Sequence, residues 1–375
     1  MEQLAQDKPT VRRVGRNETP IWGMTSAERV RRLAAASGMA VDDACSGTPV
    51  LLINLAFAFD PLWLHHIAAN PGKVVTFGGR AVLAHVTDPA LVDPVVASMN
   101  GKVLPALPGH EIIAFETGGR IYNEALRKLE TPFIQQLEPA NVPAIERASY
   151  FGAYKGVTDL LTKYLWPEWA LVLTRIAARL RITPNMVTVV GVILCILATF
   201  AFADGRYWLG MAMGLVFMVL DTVDGKLARC TITSSRLGDV LDHGVDLIHP
   251  PFWWYAWGVG LSAWGLALSP QTFWTVMALI MFGYVVQRLI EGIFIQRYGM
   301  HIHVWEKLDS DFRLITARRN PNMVILFASM LFARPDLGLI AVAIWTILSL
   351  IFHAVRLVQA EGRQRGGQTI TSWLQ

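Results

Sequence analysis

The sequence is poor in charge: Lys, Arg, Asp and Glu together make up 17% of 375 residues, against 53% apolar residues, a balance that excludes an ordinary soluble globular protein. Cysteine is also scarce. Cys45, Cys195 and Cys230 are odd in number and lack metal-type spacing, so they encode neither a disulfide framework nor a thiolate metal site and read as ordinary thiols. The opening MEQLAQDKPTVRRVGRNETP lacks the apolar core of a signal peptide, and the expectation is an N-terminus that stays in the cytoplasm. A net charge of +4 in so apolar a chain suits anionic lipid headgroups rather than nucleic acid.

Hydropathy divides the chain near residue 165. Before it, short apolar runs at 49–59, 73–79 and 81–86 alternate with helix-like segments, the pattern of a compact α/β unit. Beyond it, apolar stretches approach the roughly 20 helical residues that cross a bilayer. Spans are predicted at 186–204, 207–225, 240–262, 272–295, 321–334 and 337–357, the last two as a tight or tilted hairpin around Arg334 and Pro335, or as one longer segment bent there. The fold class is therefore a polytopic all-α membrane domain of about six transmembrane helices preceded by a small cytosolic α/β domain. Boundaries are set at 1–147 for the α/β domain, 148–185 for a linker and interfacial helix, 186–357 for the membrane domain and 358–375 for a cytosolic tail.

Flanking charges orient the spans. Lys226, Arg229 and Arg236, then Lys307, Arg313, Arg318 and Arg319, then Arg363 and Arg365 fall on one side, leaving Arg206 and Arg334 on the other. The positive-inside rule places the N-terminal domain, the mouth of the membrane domain and the C-terminus on the cytoplasmic side of a cytoplasmic or inner membrane. The segment 166–185 interleaves tryptophans and aliphatics with Arg175, Arg179 and Arg181 and suits an interfacial helix, or a soluble helix packed on the first domain.

The most informative run is DTVDGKLARCTITSSRLGDVLDHGVD at 221–246. On helices, Asp221 and Asp224 share one face, as do Asp242 and Asp246. Spacing alone leaves Asp239 open as well. Four facing carboxylates repel one another without cations, and carboxylate oxygens select Mg²⁺ or Mn²⁺ over zinc; the plainer alternative is a set of solvated loop acids. Gly225 and Ala228 leave room for a nucleotide near the backbone, with Arg229 in reach of its diphosphate, although Gly225 equally serves helix packing, as Gly238 does.

The order DxxDGxxAR, eight residues, then GxxxDxxxD is complete here and strongly resembles the signature of the CDP-alcohol phosphotransferase family, over about residues 166–357. That resemblance implies a CDP-linked donor, release of CMP, a six-helix membrane fold, use of two metal ions and a homodimer. It marks Asp221, Asp224 and Asp242 as metal ligands and Asp246 as the base that activates the acceptor hydroxyl and touches the second metal, setting Asp239 aside. YKGVTDLLTKYLWP at 154–167, TPNMVT at 183–188 and LITARRNPN at 314–322 are similar to inositol-phosphate-transferring members. They point to Lys155, Thr183, Pro184 and Asn185 on the nucleotide side and Arg313, Arg318 and Arg319 on the acceptor side. Thr183 and Pro184 also fit a helix start, Lys155 a surface charge, and the three arginines a topology signal. Arg288 and Glu291 suit an intrahelical pair, and Arg356 suits snorkelling.

The first domain resembles parts of the sugar-phosphate nucleotidyltransferase domain fused to some of those enzymes, at 19–32 and 50–75, but lacks its glycine-rich loop; Gly78 and Gly79 read as a turn. A degenerate domain used for support, partner binding or regulation is expected. The leading function is phosphatidyl transfer from CDP-diacylglycerol to inositol phosphate or another polyol or polyol phosphate at a lipid surface. Alternatives are transfer of a polar alcohol phosphate from a CDP-linked donor, a noncatalytic membrane scaffold, and a transporter.

Overall fold

The computed structural model describes residues 8–45, 47–117, 120–124 and 126–375, and the side chains of Arg236, Leu237, Asp239, Leu241, Asp242 and His243 lie outside the described residues. The N-terminal region runs β1 (Thr10–Val14), α1 (Ser26–Ala36), β2 (Val50–Asn54), β3 (Phe57–Phe59), α2 (Pro61–Ala68), β4 (Lys73–Phe77), β5 (Arg80–Val86), α3 (Val92–Met99), β6 (Glu111–Ala114), β7 (Ile121–Asn123), β8 (Lys128–Glu130), β9 (Ile134–Gln136) and α4 (Val142–Gly152). A mixed sheet has the order β1-β2-β5-β4-β6, with β1–β2 and β4–β6 parallel and the two inner pairings antiparallel.

The continuous apolar run of β2 follows from burial on both faces. Leu51 and Ile53 pack with Val30 and Leu33 of α1 and with Trp63 and Ile67 of α2, while Val50 and Leu52 pack with Val92 and Val95 of α3. Helix starts are capped locally: Thr25 accepts from Glu28 N, and Asp60 from Leu62 N ahead of Pro61, satisfying otherwise orphaned amides. The strands expected at 49–59, 73–79 and 81–86 are β2 to β5.

Next come α5 (Pro167–Arg179), α6 (Pro184–Ala203), α7 (Tyr207–Cys230), α8 (Arg236–Gly260), α9 (Pro270–Tyr298), α10 (Lys307–Arg313), α11 (Arg319–Leu331) and α12 (Pro335–Arg365). Among the described residues, α6, α7, α9 and α12 are long and apolar enough to cross a membrane. The other two predicted spans differ for identifiable reasons. α8 has 25 residues but carries acidic positions through its first half, and α11 has 13 residues, about 20 Å at 1.5 Å per residue. A turn with Ala333 at positive φ joins α11 to α12, the tight connection expected around Arg334 and Pro335.

α5 keeps Ala170, Leu171, Thr174 and Ala177 inward and leaves Trp169, Val172, Leu173 and Ile176 exposed, an apolar outer face that fits an interfacial position. Arg175 pairs with Glu146 of α4 at 3.0 Å. The apolar core is continuous from Ile21, Trp22 and Met24 of the N-terminal region to Val223 and Leu227 of α7. α1 also reaches the end of α7, where Arg29 Nη1 donates to Cys230 O and Arg32 Nη1 to Thr231 O, at 3.4 and 2.9 Å. These guanidinium groups meet carbonyls that a helix C-terminus leaves unpaired, at the negative end of its dipole.

Candidate active site

The aspartate run folds into two helices joined by a short turn, so that Asp221 projects from the C-terminal half of α7 and Asp246 from α8 toward one cavity of about 490 Å³. Fixed contacts surround it. Trp166 Nε1 donates to Thr222 Oγ1 at 3.1 Å, tying the start of α5 beside Asp221. Lys226 is 3% exposed, donates to Ala153 O at 2.8 Å and lies 3.3 Å from the Tyr154 ring centroid. On α8, Pro251 has no N–H for Leu247 O; Tyr284 of α9 supplies a hydroxyl to that carbonyl at 2.8 Å.

Arg319, at the first turn of α11, spans the two aspartates. Its Nη2 is 2.7 Å from Asp221 Oδ2 and its Nη1 2.6 Å from Asp246 Oδ1. Its Nε donates to Asn320 Oδ1 at 2.9 Å, and Asn320 Nδ2 donates to Asp159 Oδ1 at 3.0 Å. Two runs singled out in the sequence, 154–167 and 314–322, thus meet at the cavity. Asp159 also accepts from Thr162 N and Oγ1, at 3.0 and 2.8 Å. Burial favours its neutral form, but the Arg313 charge and these hydrogen bonds prevail and hold Asp159 below the usual carboxylate range.

The remaining predicted residues separate into two groups. Lys155, Gly225, Arg229, Arg313 and Arg318 line the same cavity. A Cβ on Gly225 would stand 3.1 Å from Arg229 Nη2, so its small size serves packing against that guanidinium. Asp224 is buried, with Oδ2 accepting from Thr188 Oγ1 of α6 at 2.6 Å. Thr183, Pro184, Asn185 and Ala228 are not among the lining residues. Thr183 caps α6 by accepting from Met186 N at 3.3 Å, with Pro184 in its first turn, while Asn185 Oδ1 lies 3.2 Å from where a Cβ on Gly238 would be. Asp242 falls on α8, and its side chain lies outside the described residues.

The three arginines expected on the acceptor side have different partners. Arg319 sits between aspartates, whereas Arg318 donates to partly buried Glu291 and approaches His303 Nε2 at 3.2 Å. Arg288 pairs with the same Glu291 at 3.3 Å across one helix turn, as expected. Nε and Nη1 of Arg313 are buried without a hydrogen-bond partner among the described residues, and burial pushes this guanidinium down to about 9. Arg356 does not snorkel. It is 5% exposed and bonds Asp309 at 2.6 and 2.8 Å and Glu306 at 2.5 Å, because α10 brings carboxylates to it that the span itself does not display.

Sequence reasoning missed Asp159, Asn320, Glu291 in its wider network, and Arg127, which reaches the cavity from the N-terminal region. Asp159 and Asn320 lay inside runs already noted; nothing local marked Arg127.

Among the described residues, no group of three His, Cys, Asp or Glu side chains forms a preassembled metal cluster. The guanidinium bridging Asp221 and Asp246 nevertheless shows a cation seated between carboxylates of different helices. The oxygen donors present therefore fit a hard divalent ion.

Residues 181–355 match the CDP-alcohol phosphatidyltransferase family model. The chain is similar to archaetidylinositol phosphate synthase of Pyrococcus horikoshii, 29% identical over 191 residues, covering 51% of this chain and 89% of that one. It is also similar to cholinephosphotransferase 1 of Gallus gallus, 35% identical over 128 residues that cover 31% of this chain and 36% of the relative, so it spans little more than a third of that relative's length. The solved phosphatidylinositol phosphate synthase of Mycobacterium tuberculosis with CDP-DAG bound overlaps 50% of this chain and 92% of its own at 16% identity, with a TM-score of 0.40, too loose an overlap to bear on the site. The motif on α7 and α8 falls inside the matched segment, so residues 181–355 are what this chain has in common with the CDP-alcohol phosphatidyltransferase family.

Proposed function

We propose that this protein is a metal-dependent CDP-alcohol phosphotransferase that transfers a phosphatidyl group from CDP-diacylglycerol to a polyol phosphate such as inositol phosphate. The observation that carries this reading is the convergence of Asp221, Asp246, Arg229 and Arg313 on one cavity beside helices of membrane-crossing length. α8 and α11 complete a six-helix bundle whose mouth, N-terminal region and tail face the cytoplasm, and two copies form a homodimer.

Asp221, Asp224, Asp242 and Asp246 would hold one or two Mg²⁺ or Mn²⁺ ions. A divalent ion held by these residues would supply positive charge to the donor diphosphate and to the departing CMP oxygen. Thr188 orients Asp224 from α6, and Arg229 faces the donor's diphosphate. Asp246 takes the acceptor hydroxyl proton on its carboxylate as the acceptor oxygen bonds to phosphorus and the bond from phosphorus to the CMP oxygen breaks. CMP leaves with that electron pair. Lys155 lines the nucleotide side; Thr183, Pro184 and Asn185 act there through helix placement rather than contact.

The family resemblance to cholinephosphotransferases favours a second reading, transfer from a CDP-linked polar alcohol. Cavity charge weighs against a cationic headgroup: among the lining residues eight carry guanidinium or ammonium groups and four carry carboxylates. Purified protein with Mg²⁺, a panel of CDP-linked donors and phosphorylated or plain alcohols, read by mass analysis of the new phosphodiester, tests the assignment. CMP release without that product would indicate hydrolysis, and no donor-dependent product across the panel would favour a scaffold or transporter. The isolated N-terminal region, without a glycine-rich loop, should make no CDP-alcohol from CTP.

A further inference from the structure

The hairpin β7–β8 leaves the N-terminal sheet and presses its turn against the segment that leads into the membrane half. Gly156 N donates to Leu126 O at 2.8 Å, and a Cβ on Gly156 would stand only 2.5 Å from Arg127 O. Lys128 anchors the same turn by donating to Gly152 O and pairing with Glu130 at 2.7 Å. Arg127 holds φ at 52°, a backbone region costly for a long side chain and kept where surroundings enforce it.

We propose that Arg127 is a specificity-determining residue of the membrane-half cavity, seating with Arg313 the phosphate of a phosphorylated alcohol. This rests on the reading of the cavity as a CDP-alcohol phosphotransferase site. Arg127 lines the cavity with Asp221, Asp246 and Arg313, and its guanidinium makes no hydrogen bond or ion pair among the described residues. The four lining carboxylates are engaged elsewhere: Asp221 and Asp246 with Arg319, Glu291 with Arg318 and Arg288, and Asp159 with Thr162 and Asn320. Arg313 has a charged neighbour in Asp159 but no hydrogen bond from Nε or Nη1.

Arg313, with Nε and Nη1 buried and short of acceptors, is unfavourable until an anion arrives, and half-buried Arg127 adds a second guanidinium on the same cavity. A phosphomonoester supplies several acceptor oxygens and matches their forked geometry. Burial and the Arg318 charge both depress Arg127, as expected for a cation awaiting an anionic partner. The α/β region therefore forms one wall of the transfer site, and phosphoryl oxygens are what that wall recognises. Both the acceptor phosphate and the donor diphosphate present such oxygens, and Arg127 is assigned to the acceptor.

Calorimetric titration of the full chain in nanodiscs separates the two, using inositol phosphate, glycerol phosphate, plain inositol and CDP as probes. Arg127→Gln should weaken a phosphorylated alcohol by about tenfold or more, the scale of a lost charge-assisted hydrogen bond, while leaving CDP affinity unchanged; Arg127→Lys should recover part of the loss. Should the glutamine variant fail to fold, Arg127→Gly removes the same charge and suits the left-handed backbone. Unchanged affinity for the phosphorylated alcohols, their failure to bind wild type, or a loss confined to CDP overturns the proposal. Product formation is scored separately: transfer with Arg127-independent binding removes only this seat, whereas Arg127-dependent binding without transfer removes the assigned function and keeps the seat.

Discussion

Arg319 Nη1 lies 2.6 Å from Asp246 Oδ1, so a side chain from α11 supplies positive charge where carboxylates alone would repel. This alters the expected response to mutation. Removing an aspartate would relieve repulsion if the carboxylates faced one another bare, but Asp221 is half of a largely buried pair with Arg319. Asp221→Ala should destabilise the metal-free protein by leaving Arg319 short of a partner. Thermal unfolding in chelator should show a lower Tm; a higher one would restore the repulsion account.

Arg319→Gln should raise metal affinity. Its guanidinium competes for the oxygens a divalent ion would use, so removing one positive charge should tighten Mn²⁺ binding by roughly tenfold, equivalent to about 1.4 kcal/mol. Titration followed by the Mn²⁺ resonance signal reads this without turnover. Weaker Mn²⁺ binding in a folded variant would mean that Arg319 organises the aspartates instead of competing for them.

Asp246→Asn keeps the side-chain size and an oxygen for Arg319 but removes the charge that draws the acceptor proton. Transfer should fall by roughly 10²-fold or more with donor, acceptor and metal saturating. Near-normal turnover under those conditions would end its assignment as base.

How much could be read from sequence depended on whether the information was local. The period of the apolar runs gave β2 to β5 and the long helices, because burial on a strand or helix repeats along the chain. The aspartate spacing was likewise local. What the sequence did not display were contacts made between distant segments: Arg319 entering the aspartate site from 98 residues beyond Asp221, Asn320 reaching Asp159, and Arg356 buried against α10 rather than snorkelling. A cluster of arginines near a span end reads alike whether each faces solvent, Glu291 or an aspartate pair. Arg127 was hidden most fully, since its importance comes from where the hairpin docks.

Asp159 gives a pH dependence with a defined sign. Its folded carboxyl is held below the ordinary value, so it contributes stability above the unfolded pKa of about 4 and loses that contribution as pH falls through the folded value. Asp159→Asn should lower Tm at neutral pH and show a smaller further decline on acidification below about pH 4 than wild type. Parallel acid profiles for the two proteins would remove Asp159 from the acid response.

The final prediction concerns the join between α1 and α7. Arg32 Nη1 donates to Thr231 O at 2.9 Å, just past the last residue of α7, and Arg32 is held in place by Glu28 at 2.7 Å. Replacing it by methionine keeps much of the stem while removing a charged donor from the helix C-terminus. The loss should be about 1 kcal/mol, less than the roughly 1.5–3 kcal/mol of a buried charged hydrogen bond because the group is partly solvated. Hydrogen exchange should therefore quicken at residues 227–231, ahead of any change in the N-terminal sheet, and Arg32→Lys should restore part of the protection. Unchanged exchange at those residues in a folded Arg32→Met protein would show that the Arg32 contact does not hold the end of α7, leaving Arg29 and the shared apolar core to join α1 to it.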